Sequence, residues 1–265
     1  NFMKLSQKAF KFSIMLLALC VMILPMKGLQ LGLDFTGGQQ ITLETTGQTS
    51  SEEIREILAR DGIEQSQVTT YGSSQTFQIK IGHTEHSAND ITNLLVSKVE
   101  GGKILQAEYI GPQVGSNMLT SSLMAVGCAL LMTMIYVALR FEYRFAVSAI
   151  VSLIHDPILI LGIFSLCQIE FNLVALAAML TILGYSINDT IVVYDRVREC
   201  FQSDSISPPE ELMNHAINQT LSRTILTSCL TLSVVMALYC FGGDYLTGFS
   251  ISLAIGIIIG TYSSI

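Results

Sequence analysis

The sequence predicts an α-helical membrane protein with six transmembrane helices and an external α+β domain between the first and the second. Three observations predict it. Half of the 265 residues are hydrophobic and only 13% are charged, against about 25% charged in an average soluble domain. The apolar residues gather into six runs, most of them close to the ~20 residues needed to cross ~30 Å of hydrocarbon. A single hydrophilic stretch, Gln30 to Asn117, separates the first run from the rest.

The runs are Phe12 to Gly28, Met118 to Leu139, Phe145 to Cys167, Phe171 to Tyr194, Thr224 to Phe241 and Tyr245 to Ile265. The first is the shortest and lies between Lys11 and Lys27. It lacks a small-residue cleavage pattern and both lysines can snorkel, so an uncleaved anchor is expected rather than a signal peptide. Orientation follows from Lys and Arg near the ends of the spans. Lys4, Lys8 and Lys11 precede the first span, Arg140 and Arg144 lie between the second and third, and Arg196, Arg198 and Arg223 flank the connection between the fourth and fifth. Residues 168–170 and 242–244 carry no basic group. Both ends are therefore expected in the cytoplasm. The expected division is 1–30 for the N-terminus and first helix, 31–117 for the external domain, and 118–265 for a five-helix bundle with a cytoplasmic loop at 195–222.

Within the external segment, Gln39 to Glu44 alternates, Ser51 to Arg60 has helical spacing behind a Ser51 cap, and Val68 to Tyr71 is β-rich. After the Gly72-Ser73-Ser74 turn, Thr76 to Ile81 alternates, Ala88 to Val99 has helical spacing, and Lys103 to Ile110 alternates again. The order βαββαβ is that of a ferredoxin-like unit, a fold shared by many functions. In the 195–222 loop, Pro208 and Pro209 open a helix with Glu210 and Glu211 in its first turn. Its apolar stripe, Leu212, Ala216, Ile217 and Leu221, predicts a helix lying along the membrane face and leading into the fifth span, with simple docking on neighbouring helices as the plainer role for the stripe.

Several function classes fall away. The net charge is −7 and there is no basic patch, so nucleic acid is not a partner. Cys20, Cys128, Cys167, Cys200, Cys229 and Cys240 show no metal-ligand spacing, and the hydrophilic stretch has none; they read as packing residues, with no metal expected. No HExxH, paired catalytic acids or Ser/His dyad appears in the spans, so neither an enzyme nor a cofactor is expected.

What remains is a set of polar groups within the spans, where ionised side chains are costly and mark ion pathways or buried pairs. Asp189 lies about 27 Å into the fourth span at 1.5 Å per residue, beside Asn188. Arg223 begins the fifth span, which runs back, so the two are expected at similar depth and as partners. Gln219, Thr227 and Thr231 give that helix a polar stripe suited to a hydrated path, although such hydroxyls also bond to their own helix carbonyls. Asp156, about 17 Å into the third span, is the more deeply placed acid. His155 adjoins it, but neighbours on a helix point about 100° apart, so the two need not touch; Pro157 frees a backbone carbonyl there. A neutral Asp156 serving structure alone is the alternative. Gly256 and Gly260 form a GxxxG that permits close helix packing.

LGLDFTGG at Leu31 to Gly38 and GYSINDTIVVYDRVRE at Gly184 to Glu199 carry a resemblance that covers nearly the whole chain. IHD at Ile154 to Asp156, QTLSRTILTS at Gln219 to Ser228, FGG at Phe241 to Gly243 and GTYSSI from Gly260 extend it. The chain resembles the SecF family of bacterial protein-export subunits, in the resistance-nodulation-division superfamily. The resemblance implies a pseudo-symmetric pair with SecD in the inner membrane, using the proton gradient to help draw unfolded preproteins from the SecYEG channel on the far side, with SecA, YajC and YidC as further partners and protons as the coupling ion. The family's motif acid falls on Asp189 and its arginine on Arg223, both implicated in proton passage; Asp156 is a third candidate. The turn of Asp34, Phe35, Thr36, Gly37 and Gly38 would orient the external domain, and a packing role is expected for it. A start at Asn1 and an end within an apolar run suggest a piece of a longer polypeptide, either trimmed or the second half of a SecD–SecF fusion. Two alternatives come from other classes. A proton-coupled small-molecule efflux subunit would need larger external domains with substrate clefts. In a non-transporting assembly factor, the buried acids would merely hold helices together.

Overall fold

The computed structural model describes all residues except 48, 64, 65, 83, 85, 142, 205 and 265, and only the backbone of Tyr143, Arg144, Asp244 and Tyr245. The Arg144 side chain, expected above to mark the cytoplasmic side, and Ile265 of the sixth run lie outside the described residues. The chain divides into two compact units, residues Leu31–Met124 and residues Asn1–Gln30 with Ala125–Ile265.

The first unit holds α2 (Leu33–Thr36), β1 (Gly38–Glu44), α3 (Ser51–Arg60), β2 (Ser66–Tyr71), β3 (Ser73–Ile81), α4 (Ala88–Lys98), β4 (Lys103–Ile110) and the start of α5 (Pro112–Arg140). Its antiparallel sheet has the order β2-β3-β1-β4, the ferredoxin-like arrangement that the alternation predicts. Period-2 spacing turns Ile41, Leu43, Phe77, Ile79 and Ile81 to one face, where they bury against Ile54 and Leu58 of α3 and Ile91 and Leu95 of α4. The cap of α3 is Ser50, one residue before the expected Ser51; its hydroxyl accepts from the Glu53 amide at 3.2 Å. The β2–β3 turn narrows to Gly72, at φ +70°.

The second unit is helical, with α1 (Phe2–Lys27), α6 (Tyr143–Cys167), α7 (Leu173–Ser203), α8 (Pro209–Phe241), α9 (Gly243–Ser264) and the rest of α5. Among the described residues six helices are long and apolar enough to cross a membrane, and the chain is a multi-pass membrane protein. Helix α7 is central and packs on α6, α8 and α9, while α1 lies on α6 and α8. Small residues set these seams. A Cβ built on Gly162 of α6 would fall 2.2 Å from Cys20 Sγ of α1, and one on Gly256 of α9 would fall 2.0 Å from Ile182 Cδ1 of α7. Between α6 and α7, Gln168 takes the left-handed φ of +52°. The Ile169 amide then donates to the Phe164 carbonyl at 3.0 Å, closing the helix with the bond of a Schellman cap.

The expected loop at 195–222 is largely helical. Helix α7 runs on to Ser203 and α8 starts at Pro209 and continues unbroken to Phe241, so the residues from Leu212 to Leu221 form no separate helix lying along the membrane face. The cause is the apolar stripe itself. Leu212, Ala216 and Ile217 pack on Val193, Val197 and Cys200 of α7, extending an antiparallel helical hairpin. At its tip the Asp204 carboxylate accepts from the Ser207 hydroxyl at 2.6 Å and from the amides of Ile206 and Ser207 at 2.9 and 3.1 Å. Those bonds, the hydroxyl's first, hold its carboxyl below the usual range.

Candidate functional site

Asp156 is fully buried. Its Oδ2 accepts from Ser186 Oγ of α7 at 2.7 Å and from Ser263 Oγ of α9 at 2.9 Å, and its Oδ1 lies 3.0 Å from Nδ1 of His155. This corrects the expectation that adjacent side chains on α6 need not touch. Their Cβ atoms do diverge, but imidazole and carboxylate extend far enough to fold toward each other in a bundle that offers few other polar partners. The node joins α6, α7 and α9. Gly260 makes room for it, since a Cβ there would lie 3.2 Å from Ser186 Cβ.

Asp189 lies one turn beyond Ser186 on α7, about 4.5 Å along the axis. It is only 4% exposed, and its Oδ2 has no hydrogen-bond partner. Arg223 acts on it electrostatically, but no ion pair of 4.0 Å or less joins them. The expected partnership is thus a field across a gap rather than a contact. A carboxylate oxygen buried without a donor is an arrangement that burial disfavours, and a proton can bind Oδ2 without displacing any hydrogen bond.

The expected polar stripe is out of phase with the bundle. Asn188 and Gln219 are exposed; Gln219 accepts from Arg196 Nε at 2.5 Å. Thr227 donates to the carbonyl of Arg223 at 3.0 Å and Thr231 to that of Thr227 at 2.8 Å, the self-satisfying alternative. The buried polar row of α8 is Thr220, Thr224 and Ser228. Tyr185 of α7 donates to Ser228 Oγ at 3.0 Å, and Ser228 Oγ lies 2.7 Å from Thr261 Oγ1 of α9, a hydroxyl bridge across α7, α8 and α9. Thr224 Oγ1 is buried without a partner. A signal for this row was present, because the buried stripe through Ile217, continued in steps of three, four and four, reaches Thr220, Thr224 and Ser228.

The glycine-rich turn belongs to the unit Leu31–Met124. Leu33, Asp34, Phe35 and Thr36 form a single helical turn, α2, closed by the Gly37 amide donating to the Leu33 carbonyl at 2.8 Å. Phe35 is buried. The Thr36 hydroxyl donates to the Gly32 carbonyl at 3.2 Å. Gly37 (φ +74°) and Gly38 (φ +141°) adopt backbone conformations that disfavour side chains, and a Cβ on Gly38 would fall 2.4 Å from the Ile81 carbonyl oxygen. The turn seats α2 against the end of the sheet.

Two family models match. One described as "Protein export membrane protein SecD/SecF, C-terminal" covers residues 91–265, and one described as "SecD/SecF GG Motif" covers residues 23–49. The protein translocase subunit SecF of Vibrio alginolyticus is 39% identical over all of this chain and 86% of its own length; that of Escherichia coli O157:H7 is 37% identical, with 84% of its length covered. The crystal structure of SecDF from Thermus thermophilus, described as a translocon-associated membrane protein, superposes with a TM-score of 0.89 at 36% identity over 100% of this chain. This chain spans 37% of that SecDF polypeptide.

Proposed function

This chain belongs to the SecD/SecF family of protein-export membrane proteins, on its SecF side, and on that footing we propose that it is a proton-gradient-driven accessory subunit of the Sec translocase. It acts with SecD in the bacterial inner membrane, beside SecYEG, SecA, YajC and YidC, to promote late translocation and release of unfolded preprotein on the outer side, without catalysing a covalent step. Its N-terminus is cytoplasmic and residues 31–117 are external, a reading supported by the basic residues at the span ends.

The observation that carries the proposal is Asp189, a buried carboxylate on a membrane-spanning helix whose Oδ2 no donor reaches, within the field of Arg223. Protonation of Asp189 removes its attraction to Arg223. Helix α7 then shifts against α8. Each proton crossing the membrane potential supplies about 2.3 kcal/mol per 100 mV. Asp156, with its hydrogen bonds largely filled, is the second group on the pathway. The relatives' identity as protein translocase subunits favours this reading over small-molecule efflux.

The test is preprotein export into sealed inner-membrane vesicles carrying SecD with this subunit, with and without a proton gradient, at matched complex levels. Asp189→Asn is expected to lose the gradient's stimulation while assembling normally. Full stimulation in that variant would make Asp189 a structural charge.

A further inference from the structure

His155 Nε2 is buried and has no hydrogen-bond partner, while Nδ1 of the same ring is held by Asp156. When Asp156 is ionised its oxygens only accept, so Nδ1 carries the ring proton and Nε2 carries the lone pair. The ring is thereby oriented, in the manner of a carboxylate-positioned general base, with its basic atom directed into the bundle. Ser186 and Ser263 donate to the opposite oxygen and hold the carboxylate in place.

We propose that His155 and Asp156 together form a second proton-binding station in series with Asp189, with Ser186 and Ser263 as positioning residues. The inference rests on the proton-driven reading and adds to it where the proton goes. In the transfer the Asp189 carboxyl O–H breaks, a new N–H forms at His155 Nε2, and Asp189 is left as a carboxylate in the field of Arg223. Before transfer the pair bears one negative charge and afterwards it is a neutral imidazolium–carboxylate pair, while Asp189 takes up that negative charge, so the step moves one charge from the pair to Asp189 and leaves the total in the bundle unchanged. Helix α7 links the two stations, since its Ser186 holds Asp156 of α6 and its Asp189 follows Ser186 by one turn.

The other titratable groups on the packed helices do not compete for the station. Cys20 of α1 packs at Gly162, and the Tyr262 hydroxyl of α9 is engaged with Ser13 and the Ala9 carbonyl of α1. Among the described residues, no lysine or arginine forms an ion pair with Asp156.

The experiment is infrared pH-difference spectroscopy on the assembled complex with SecD in membranes, which reads protonation directly and does not depend on export. Wild type is expected to show titrating imidazole and carboxyl bands. His155→Gln should lose the imidazole band and displace the carboxyl band of Asp156. Ser263→Ala should retain both bands while displacing the carboxyl band, since the carboxylate loses one of its two hydroxyl donors. Asp189→Asn should remove its own band and leave the His155–Asp156 bands in place. Identical difference spectra for wild type, His155→Gln and Ser263→Ala would overturn the proposal, whatever happens to Asp156→Asn. If the bands behave as expected but Asp189→Asn keeps full gradient-stimulated export, the station stands and the proton-driven function falls.

Discussion

The α7–α9 seam supports a quantitative prediction. In Gly256→Ala the new methyl would lie 2.0, 2.5 and 2.8 Å from the Cδ1, Cγ1 and Cγ2 atoms of Ile182, where carbon atoms prefer about 3.5–4.0 Å. Ile182 is 1% exposed, so its side chain has nowhere to swing, and the two helices must separate by about 1.5 Å to restore contact distance. Overpacking of this kind costs about 1–3 kcal/mol, set against the ~1 kcal/mol by which alanine is the better helix former. Gly248 of the same helix is an internal control, because a Cβ there meets nothing within 4 Å. Gly248→Ala should therefore be neutral or stabilising and Gly256→Ala destabilising, in detergent unfolding of the purified protein. Ile182→Ala alone should lose about 2–5 kcal/mol for its cavity, yet combined with Gly256→Ala it should cost less than the sum, since the methyl fills part of the space. Equal stability of the two glycine variants, or strict additivity in the double mutant, would refute the packing argument.

Three further outcomes are expected elsewhere. Gly38→Ala places a methyl 2.4 Å from the backbone oxygen of Ile81 at φ +141°, where no side chain can move aside; the unit Leu31–Met124 should lose about 3 kcal/mol or more and become protease-sensitive between residues 31 and 124 in the intact protein. Ser50→Ala removes the cap that Glu53 donates to and should weaken α3 by about 1 kcal/mol, read as faster amide exchange in its first turn. At the α7–α8 tip the Asp204 carboxyl is held below its usual range, so the order it gives the tip is complete above the ordinary carboxylate pKa of about 3.9 and is lost as pH falls through the lower folded value. Protection of the Ile206 and Ser207 amides should show that acid transition in wild type and lack it in Asp204→Asn.

Much of this architecture was legible because periodicity reports burial. The alternation through Ile41 and Leu43, and through Phe77, Ile79 and Ile81, places the sheet's buried face directly, and the apolar runs place the spanning helices. Legibility ends where adjacent rows of one helix are equally polar. Gln219, Thr227 and Thr231 on one row of α8 look as suited to the interior as Thr220, Thr224 and Ser228 on the next, and only packing against α7 and α9 decides between them. The His155–Asp156 contact was hidden for another reason. Backbone direction separates neighbouring Cβ atoms, and the side-chain torsions that bring the two groups together depend on Ser186 and Ser263, which come from distant parts of the chain. In the 195–222 segment the helix opened at Pro208 and Pro209 was legible, but an amphipathic stripe states that a helix has a buried side without stating what covers it, and here α7 does so in place of a membrane face.

The hydroxyls of Thr190, Thr220, Thr227, Thr231, Ser250 and Ser252 each donate to a carbonyl four residues back on their own helix. A bond of that kind travels with the helix that contains it. When α7, α8 and α9 slide past one another, these groups keep their partners and present the same smooth, internally satisfied surface at every step. Exceptions are ties that cross from helix to helix, among them those from Tyr185 to Ser228, from Ser228 to Thr261, from Arg196 to Gln219, and from Ser186 and Ser263 to Asp156. These cross-links behave as detents, so any gliding of the bundle is expected to occur in discrete clicks, each one the release and re-engagement of a named pair.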